Sequence, residues 1–285
     1  MLRQIVHCMG ISYRRLFSQA KFWLVLALVI LFTGYQYLPL NHVSSFYKVP
    51  MVPWTLPFYL SMLNMQIVFG GLIMILFEDV FWQDVITGYV ISRVGKRNYI
   101  IAQVLYVLAT SFLFVLFLQL LTWIMLLPSL AWDDDWGVLL RTIAAHASEI
   151  TNQTGEKLSF VIDEELIHLM SPVKASIASF ISMWLVAAFM GLLMGVFSLF
   201  VGQSSGTIAA GLVIVMGILP HSIMYVILGK TIWYFAPFSW ASINALDWYY
   251  SGMTPSPSFG LAVLSGSIAV FSTVLIIRFS RKDLE

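Results

Sequence analysis

The sequence predicts an all-α membrane protein with six transmembrane helices. Three observations carry that reading. The 285 residues are 60% hydrophobic and only 10% charged, with a mean hydropathy of +0.88. Apolar residues gather into continuous runs of about 20, the length that crosses a bilayer core of about 30 Å. The short alternating segments of a transmembrane β-barrel do not occur.

The runs fall at 22–38, 56–77, 99–127, 175–201, 207–228 and 259–279. The third and fourth are long enough to tilt or to project beyond lipid. A net charge of +1 gives nucleic acid no electrostatic hold, so no such partner is expected. The single cysteine, Cys8, excludes an intrachain disulfide and a multi-cysteine metal site. No cleavable signal is expected, because residues 1–20 hold no continuous apolar core.

Direction follows from the basic residues. If both termini are cytoplasmic, the inner segments hold Arg3, Arg14, Arg15, Lys21, Arg93, Lys96, Arg97, Arg278, Arg281 and Lys282. The outer loops keep Lys48, Arg141, Lys157, Lys174 and Lys230. The expected location is a cell membrane, crossed several times.

Residues 1–21 form the first element. Leu2, Ile5, Val6, Met9, Tyr13, Leu16 and Phe17 share one helical face, and Arg3, Gln4, His7, Arg14, Arg15 and Ser18 the other. Such a helix suits the membrane interface, with its basic groups toward anionic lipid. The rest of the chain, 22–285, is read as the transmembrane domain.

Segment 77–98 is a charged island between the second and third runs. Glu78, Asp79 and Asp84 face three bases, Arg93, Lys96 and Arg97. Trp82, Val85, Ile86 and Tyr89 recur at helical spacing, which predicts a short amphipathic helix ending near Gly95. Burying these charges in lipid would cost several kcal/mol, so the segment is expected at the inner surface with one face free.

The loop 128–174 is long for a connection and acidic, and 136–150 is read as an amphipathic helix. Its "WDDDWG" stretch, residues 132–137, is read as a solvated cap rather than a cation site. In "DEELIH", residues 163–168, Leu169 follows where an intramembrane glutamyl protease would need arginine, and His168 and His221 are too isolated for zinc. Segment 229–258 is dense in Trp and Tyr, as suits a membrane interface. Asp247 is expected there as a solvated residue.

The spans carry few polar side chains. Asn64, Gln66, Gln103, Ser179 and Ser182 are the candidates for a substrate path, although such groups also bond across helices. No acid or lysine lies in mid-span, which speaks against proton coupling. Small residues in the fourth run (Ala175, Ser176, Ser179, Ala187, Ala188, Gly191, Gly195) and at the start of the fifth (Gly206, Ala209, Ala210, Gly211) permit close helix packing.

The layout resembles the permease subunit of an ABC-2 type exporter. The likeness rests on the amphipathic arm, the six spans, Glu78 closing the second, then Gly88, then the basic "SRVGKRNYIIAQ" of 92–103 leading into the third. Where that family has a TLE-like segment after the glycine, this chain has "YVI". The resemblance implies that 77–98 is a coupling helix seated on a separate ATPase. Trp82, Val85 and Tyr89 would then be apolar anchors, with Glu78, Asp79, Arg93 and Arg97 orienting. It also implies a re-entrant segment between spans five and six, at 229–258. The chain has no GxxxxGK[ST] phosphate loop of its own. The expected ATP and Mg therefore sit on the partner, no cofactor is bound directly, and no catalytic or metal-binding residue is assigned. A second copy, or a related permease chain, and membrane lipid complete the expected partners. The cargo would be apolar or amphipathic: a peptide, a lipid-linked molecule or a drug. The competing class is a non-transport membrane protein, such as an immunity or sensor protein or a membrane enzyme.

Overall fold

A computed structural model describes residues 2–81, 85–158, 161–202 and 204–281. Within them the chain is all-α, and the one β feature is an isolated bridge between Met51 and Leu130. Four helices are long and apolar enough to cross a membrane: α2 (Ala20–Tyr47), α6 (Lys96–Leu126), α9 (Pro172–Phe200) and α12 (Pro257–Arg281). A fifth crossing exists only if one bent pair of helices is counted as a span. Among the described residues, four or five helices therefore meet that length and composition, with Leu63–Phe77 a shorter apolar helix.

The second expected span, 56–77, is broken. Thr55 leads into α3 (Leu56–Ser61), Met62 adopts an extended conformation (φ −73°, ψ 121°), and α4 (Leu63–Phe77) restarts the helix. The break strips carbonyls of their helical donors. The Gln66 side chain answers one of them, donating to the Leu60 carbonyl at 3.1 Å. The fifth expected span, 207–228, ends early. The helix α10 (Ser205–Ile218) runs into a tight turn at Leu219–His221, and the chain bends by 76°. Pro220 sits in that turn and has no N–H to offer a helical carbonyl, and Ser222 then leaves the helical region (φ −116°, ψ −177°). The short α11 (Met224–Leu228) follows on the new course. By contrast α2 runs past its expected end at 38 and through Pro39, stopping at Tyr47 with Lys48 in the left-handed region.

Three shorter helices complete the set: α1 (Leu2–Ser18), α5 (Val85–Val94) and α7 (Gly137–Thr154), with one further turn-length helix, α8 (Glu164–Leu169). The central helix is α9, which packs on α6, α10 and α12. Small residues permit this, as expected. A side chain at Gly191 would meet Val107 Cγ1 at 2.7 Å, and one at Gly70 would meet Ile214 Cδ1 at 2.8 Å. Ala175, Ala187, Ala188 and Ala210 are buried too.

The bundle has two unlike ends. At the loop end, Asn41 bonds the Met125 carbonyl, Met51 bridges to the strand-like turn at 129–131, and Tyr47 bonds Gln153. Here α7 buries Leu139, Leu140, Ile143 and Ile150, so the helix expected over 136–150 is present from Gly137 but kinked at His146 (φ −133°, ψ 35°). Trp136 is its anchor, buried against Phe58 with its indole N–H on the Met170 carbonyl. At the opposite end, the arm end, lie α1, α5, the start of α6 and the last turns of α9 and α12.

Segment 229–258 folds back on the bundle through short helical turns. Ser239 donates to the Gly217 carbonyl and Ser242 bonds Ser61, so the segment is tied to α10 and α3. Phe238 and Trp240 are buried, while Tyr249 and Tyr250 stay exposed. Asp247 is not solvated as expected. It is 6% exposed, and its carboxylate accepts the Gly252 N–H at 2.5 Å and the Ser251 hydroxyl at 3.1 Å. The carboxylate closes the loop on itself.

Candidate functional site

The charged island builds the arm end. After α4, residues 78–81 turn, and α5 is then laid against α6. Among its described side chains Thr87 and Ile91 are buried, with Val90 and Val94 partly covered, a spacing of three and four that marks one helical face. The opposite face carries Tyr89 and Arg93, both exposed, with the Arg93 guanidinium 5.0 Å over the Tyr89 ring. Gly95 ends the element with φ 85°, a left-handed conformation that a side chain would strain, and α6 begins at the next residue.

The expected coupling residues divide. Glu78, Tyr89, Arg93 and Arg97 are exposed. Asp79 is engaged by the molecule itself: its carboxylate takes the Lys21 ammonium and the Gln19 amide at 3.4 Å. It ties the α1–α2 corner to the end of α4. Trp82 lies outside the described residues, and Val85 begins α5 with its side chain outside them.

The arm closes over this region. At Gln19 the chain is extended (φ −88°, ψ 132°), which turns α1 back from α2. Along α6, Asn98 bonds Gln4 at 3.1 Å, Gln103 bonds Ser12 at 3.0 Å, and Tyr13 stacks edge-on against Tyr106. Ile5 and Cys8 are buried against Ala102. Burial also pushes the Cys8 thiol above its ordinary pKa. The predicted apolar face therefore splits: Ile5 and Leu16 turn inward, whereas Leu2, Val6 and Phe17 are exposed.

Between α1, the end of α4, α5 and α6 lies a cavity of about 410 Å³. Its lining mixes polar residues, Arg14, Arg15, Lys21, Asp79, Thr87 and Gln103, with apolar ones, Leu16, Leu76 and Val90. The sequence reading singled out Asp79 and Gln103 as candidates but did not bring them together with Lys21 around one cavity. Lys21 and Asp79 are 58 positions apart, and no local spacing connects them. The one available signal was an acid directly after an apolar run, opposite a base directly before another.

The five polar residues proposed for a path do not line one cavity. Asn64 is exposed on α4, and Gln66 serves the α3–α4 break. Gln103 faces the arm cavity. Ser179 is fully buried in α9, its hydroxyl without a partner among the described residues. Ser182 borders a mostly apolar groove of about 290 Å³ with Ile181, Leu246, Trp248 and Leu261.

The acidic cap is held by its own residues. Asp135 accepts the Trp136 N–H and a two-pronged contact from Arg141 at 2.6 and 2.7 Å. Those donors, the Trp136 N–H first, hold its carboxyl below the usual range. Asp163 caps α8 through the Glu165 N–H. Among the described residues no three His, Cys, Asp or Glu side chains converge as metal ligands would. No family profile, curated protein or solved structure matches this chain.

Proposed function

We propose that the chain is the membrane subunit of an ATP-driven exporter of the ABC-2 type, with hydrolysis on a separate cytoplasmic ATPase. One observation carries the reading: α5 is gripped by its inner face and offers Tyr89 and Arg93 outward, between two apolar helices, at the end that gathers most of the basic residues. A short, exposed aromatic–cationic face on a rigid seat suits protein docking, where Tyr and Arg are favoured anchors. The site would transmit movement, because α5 leans on α6 and α6 leans on α9 and α12. ATP and Mg would belong to the partner. The weakly covered flanks of α2 and α12 leave room for lipid and for a second permease chain. Both termini would be cytoplasmic, and the cargo apolar or amphipathic.

The test is co-purification of the tagged full chain with the ATPase encoded beside it. Losing a docked Tyr commonly costs about 2 kcal/mol or more, roughly a 30-fold loss in affinity. Tyr89→Ala and Trp82→Ala should release the ATPase or uncouple its hydrolysis. Trp248→Ala, at the loop end, should not. Equal retention by all three variants would leave α5 a plain topological anchor, and the exporter reading would lose its support.

A further inference from the structure

Two cavities at the loop end adjoin. The first is the mostly apolar groove of about 290 Å³. Lys174, Ile177 and Ile181 line it from α9, at the three- and four-residue spacing of one helical face, and Leu261 lines it from α12. Ile177, Ile181 and Leu261 are exposed, on two helices long and apolar enough to cross a membrane. The second cavity, of about 160 Å³, is polar, with Asp163, Glu165 and Asp247 in its lining. Leu246 and Trp248 belong to both.

The charges around this shared edge are unequally engaged. Lys174 is the one charged residue in the described lining of the groove. It is exposed and makes no ion pair among the described residues. It stands in the first turn of α9, where a side chain leans toward the helix N-terminus, so its ammonium leans away from the apolar span. Two of the three carboxylates are already taken. Asp163 accepts the Glu165 N–H, and Asp247 accepts the Gly252 N–H and the Ser251 hydroxyl. The Glu165 carboxylate is exposed and has no ion-pair partner among the described residues. Its backbone is held in place, because the Tyr249 hydroxyl donates to the Glu165 carbonyl at 3.2 Å. The neighbouring Trp248 is fixed too, its indole N–H on the Ile243 carbonyl at 2.9 Å. An unpaired cation and an unpaired carboxylate thus border adjoining cavities without pairing to each other.

We infer that this edge binds a zwitterionic phospholipid, with its phosphate at Lys174, its ammonium at Glu165 and an acyl chain in the groove against Ile177, Ile181 and Leu261. Charge complementarity selects the headgroup. A zwitterion answers both free charges, whereas a purely anionic headgroup leaves Glu165 unanswered beside it. The apolar groove between two spans selects a membrane lipid over a soluble zwitterion, since only the lipid brings a chain to cover it. The site uses neither α5 nor an ATPase, so it stands apart from the exporter reading. Its ligand would touch α8, α9 and α12 together.

The experiment uses the purified full chain in an uncharged detergent. Dihexanoyl phosphatidylethanolamine, dihexanoyl phosphatidylglycerol and chain-free phosphoethanolamine are each titrated, with tryptophan fluorescence and the thermal midpoint as readouts. Phosphatidylethanolamine should bind saturably, and phosphatidylglycerol roughly tenfold more weakly, as loss of one charge-assisted contact implies. Phosphoethanolamine should not bind over the same range. Glu165→Gln should erase the preference between the two lipids. Lys174→Gln should weaken both roughly tenfold, because both carry the phosphate. Lys157→Gln, an exposed change of the same charge at the same end, should alter neither. Glu165 and Lys174 are exposed, so both variants should fold, and an unchanged thermal midpoint without lipid checks this directly. The inference is overturned if neither lipid binds saturably, or if phosphatidylglycerol binds the unaltered chain as tightly as phosphatidylethanolamine. Equal binding by phosphoethanolamine would make the ligand soluble and overturn the lipid. Unchanged affinities in both Glu165→Gln and Lys174→Gln would place the lipid elsewhere and overturn the site.

Discussion

Cys8 offers a test of the arm that needs no mutation. It is the chain's only cysteine, it is 2% exposed, and Ile5 and Ala102 cover it. A thiol reacts as thiolate, so burial slows labelling twice, by excluding the reagent and by raising the pKa. A soluble maleimide should therefore leave the native chain nearly unlabelled and react fully after denaturation. Ile5→Glu places a carboxylate in the α1–α6 seam and should make Cys8 reactive while the long helices persist. Rapid labelling of the native chain would mean that α1 does not rest on α6. The sequence showed the arm's helical period but not its seat. Cys8 and Ser12 were counted on neither face, because their value lies in Ala102 and Gln103, some ninety residues onward. Asp247 teaches the same lesson. Surrounded by aromatics it reads as interfacial, and only the fold shows the Gly252 N–H that its carboxylate holds.

At the scale of elements, apolar length was legible and continuity was not. A run such as 56–77 has enough hydrophobicity for a span, and hydropathy is blind to one residue leaving the helical region. The clue was a lone buried amide. Gln66 is 5% exposed within a strongly apolar helix, and it sits where the break at Met62 leaves the Leu60 carbonyl needing a donor. Gln66→Leu keeps the volume and the apolar character of α4. It nevertheless strands a buried acceptor, which costs about 1–3 kcal/mol. The expected result is a lower thermal midpoint in detergent, with Gln66→Glu at neutral pH worse still because it adds a buried charge and removes the donor. A more stable Gln66→Leu chain would mean that the Leu60 carbonyl finds its donor elsewhere. The short helix α5 was legible in its existence and in its stop at Gly95, and its exposed Tyr89 agrees with a free face. The predicted stripe did not include Thr87 and Ile91, which α5 buries among its described side chains. One turn of amphipathic pattern does not fix which side a short helix turns inward when both sides hold apolar groups.

Over the whole molecule, the fold sorts charge by end. Arg3, Arg14, Arg15, Lys21, Arg93, Lys96, Arg97 and Arg278 belong to segments gathered at the arm end. The loop end holds the acidic stretch 133–135, Glu149 and Glu156, with His42 of α2 lying 3.3 Å from Glu156. A chain inserted with its basic end toward the cytoplasm obeys the positive-inside preference. That ordering survives the broken α3–α4 stretch and the bent α10, since it depends on which end each loop reaches and not on the number of straight helices. We predict that the arm end is cytoplasmic. In a Cys8→Ser background, Lys157→Cys and Ser92→Cys place one exposed thiol at each end. A membrane-impermeant maleimide on intact cells should label position 157 and spare position 92, and inverted vesicles should reverse the pattern. Both side chains are exposed, and Ser92 gives up only a hydrogen bond to the Tyr89 carbonyl of its own helix, so both variants should insert normally. Labelling of 92 alone on intact cells would turn the molecule over, expose α5 to the outside, and remove the ground for a cytoplasmic ATPase at Tyr89.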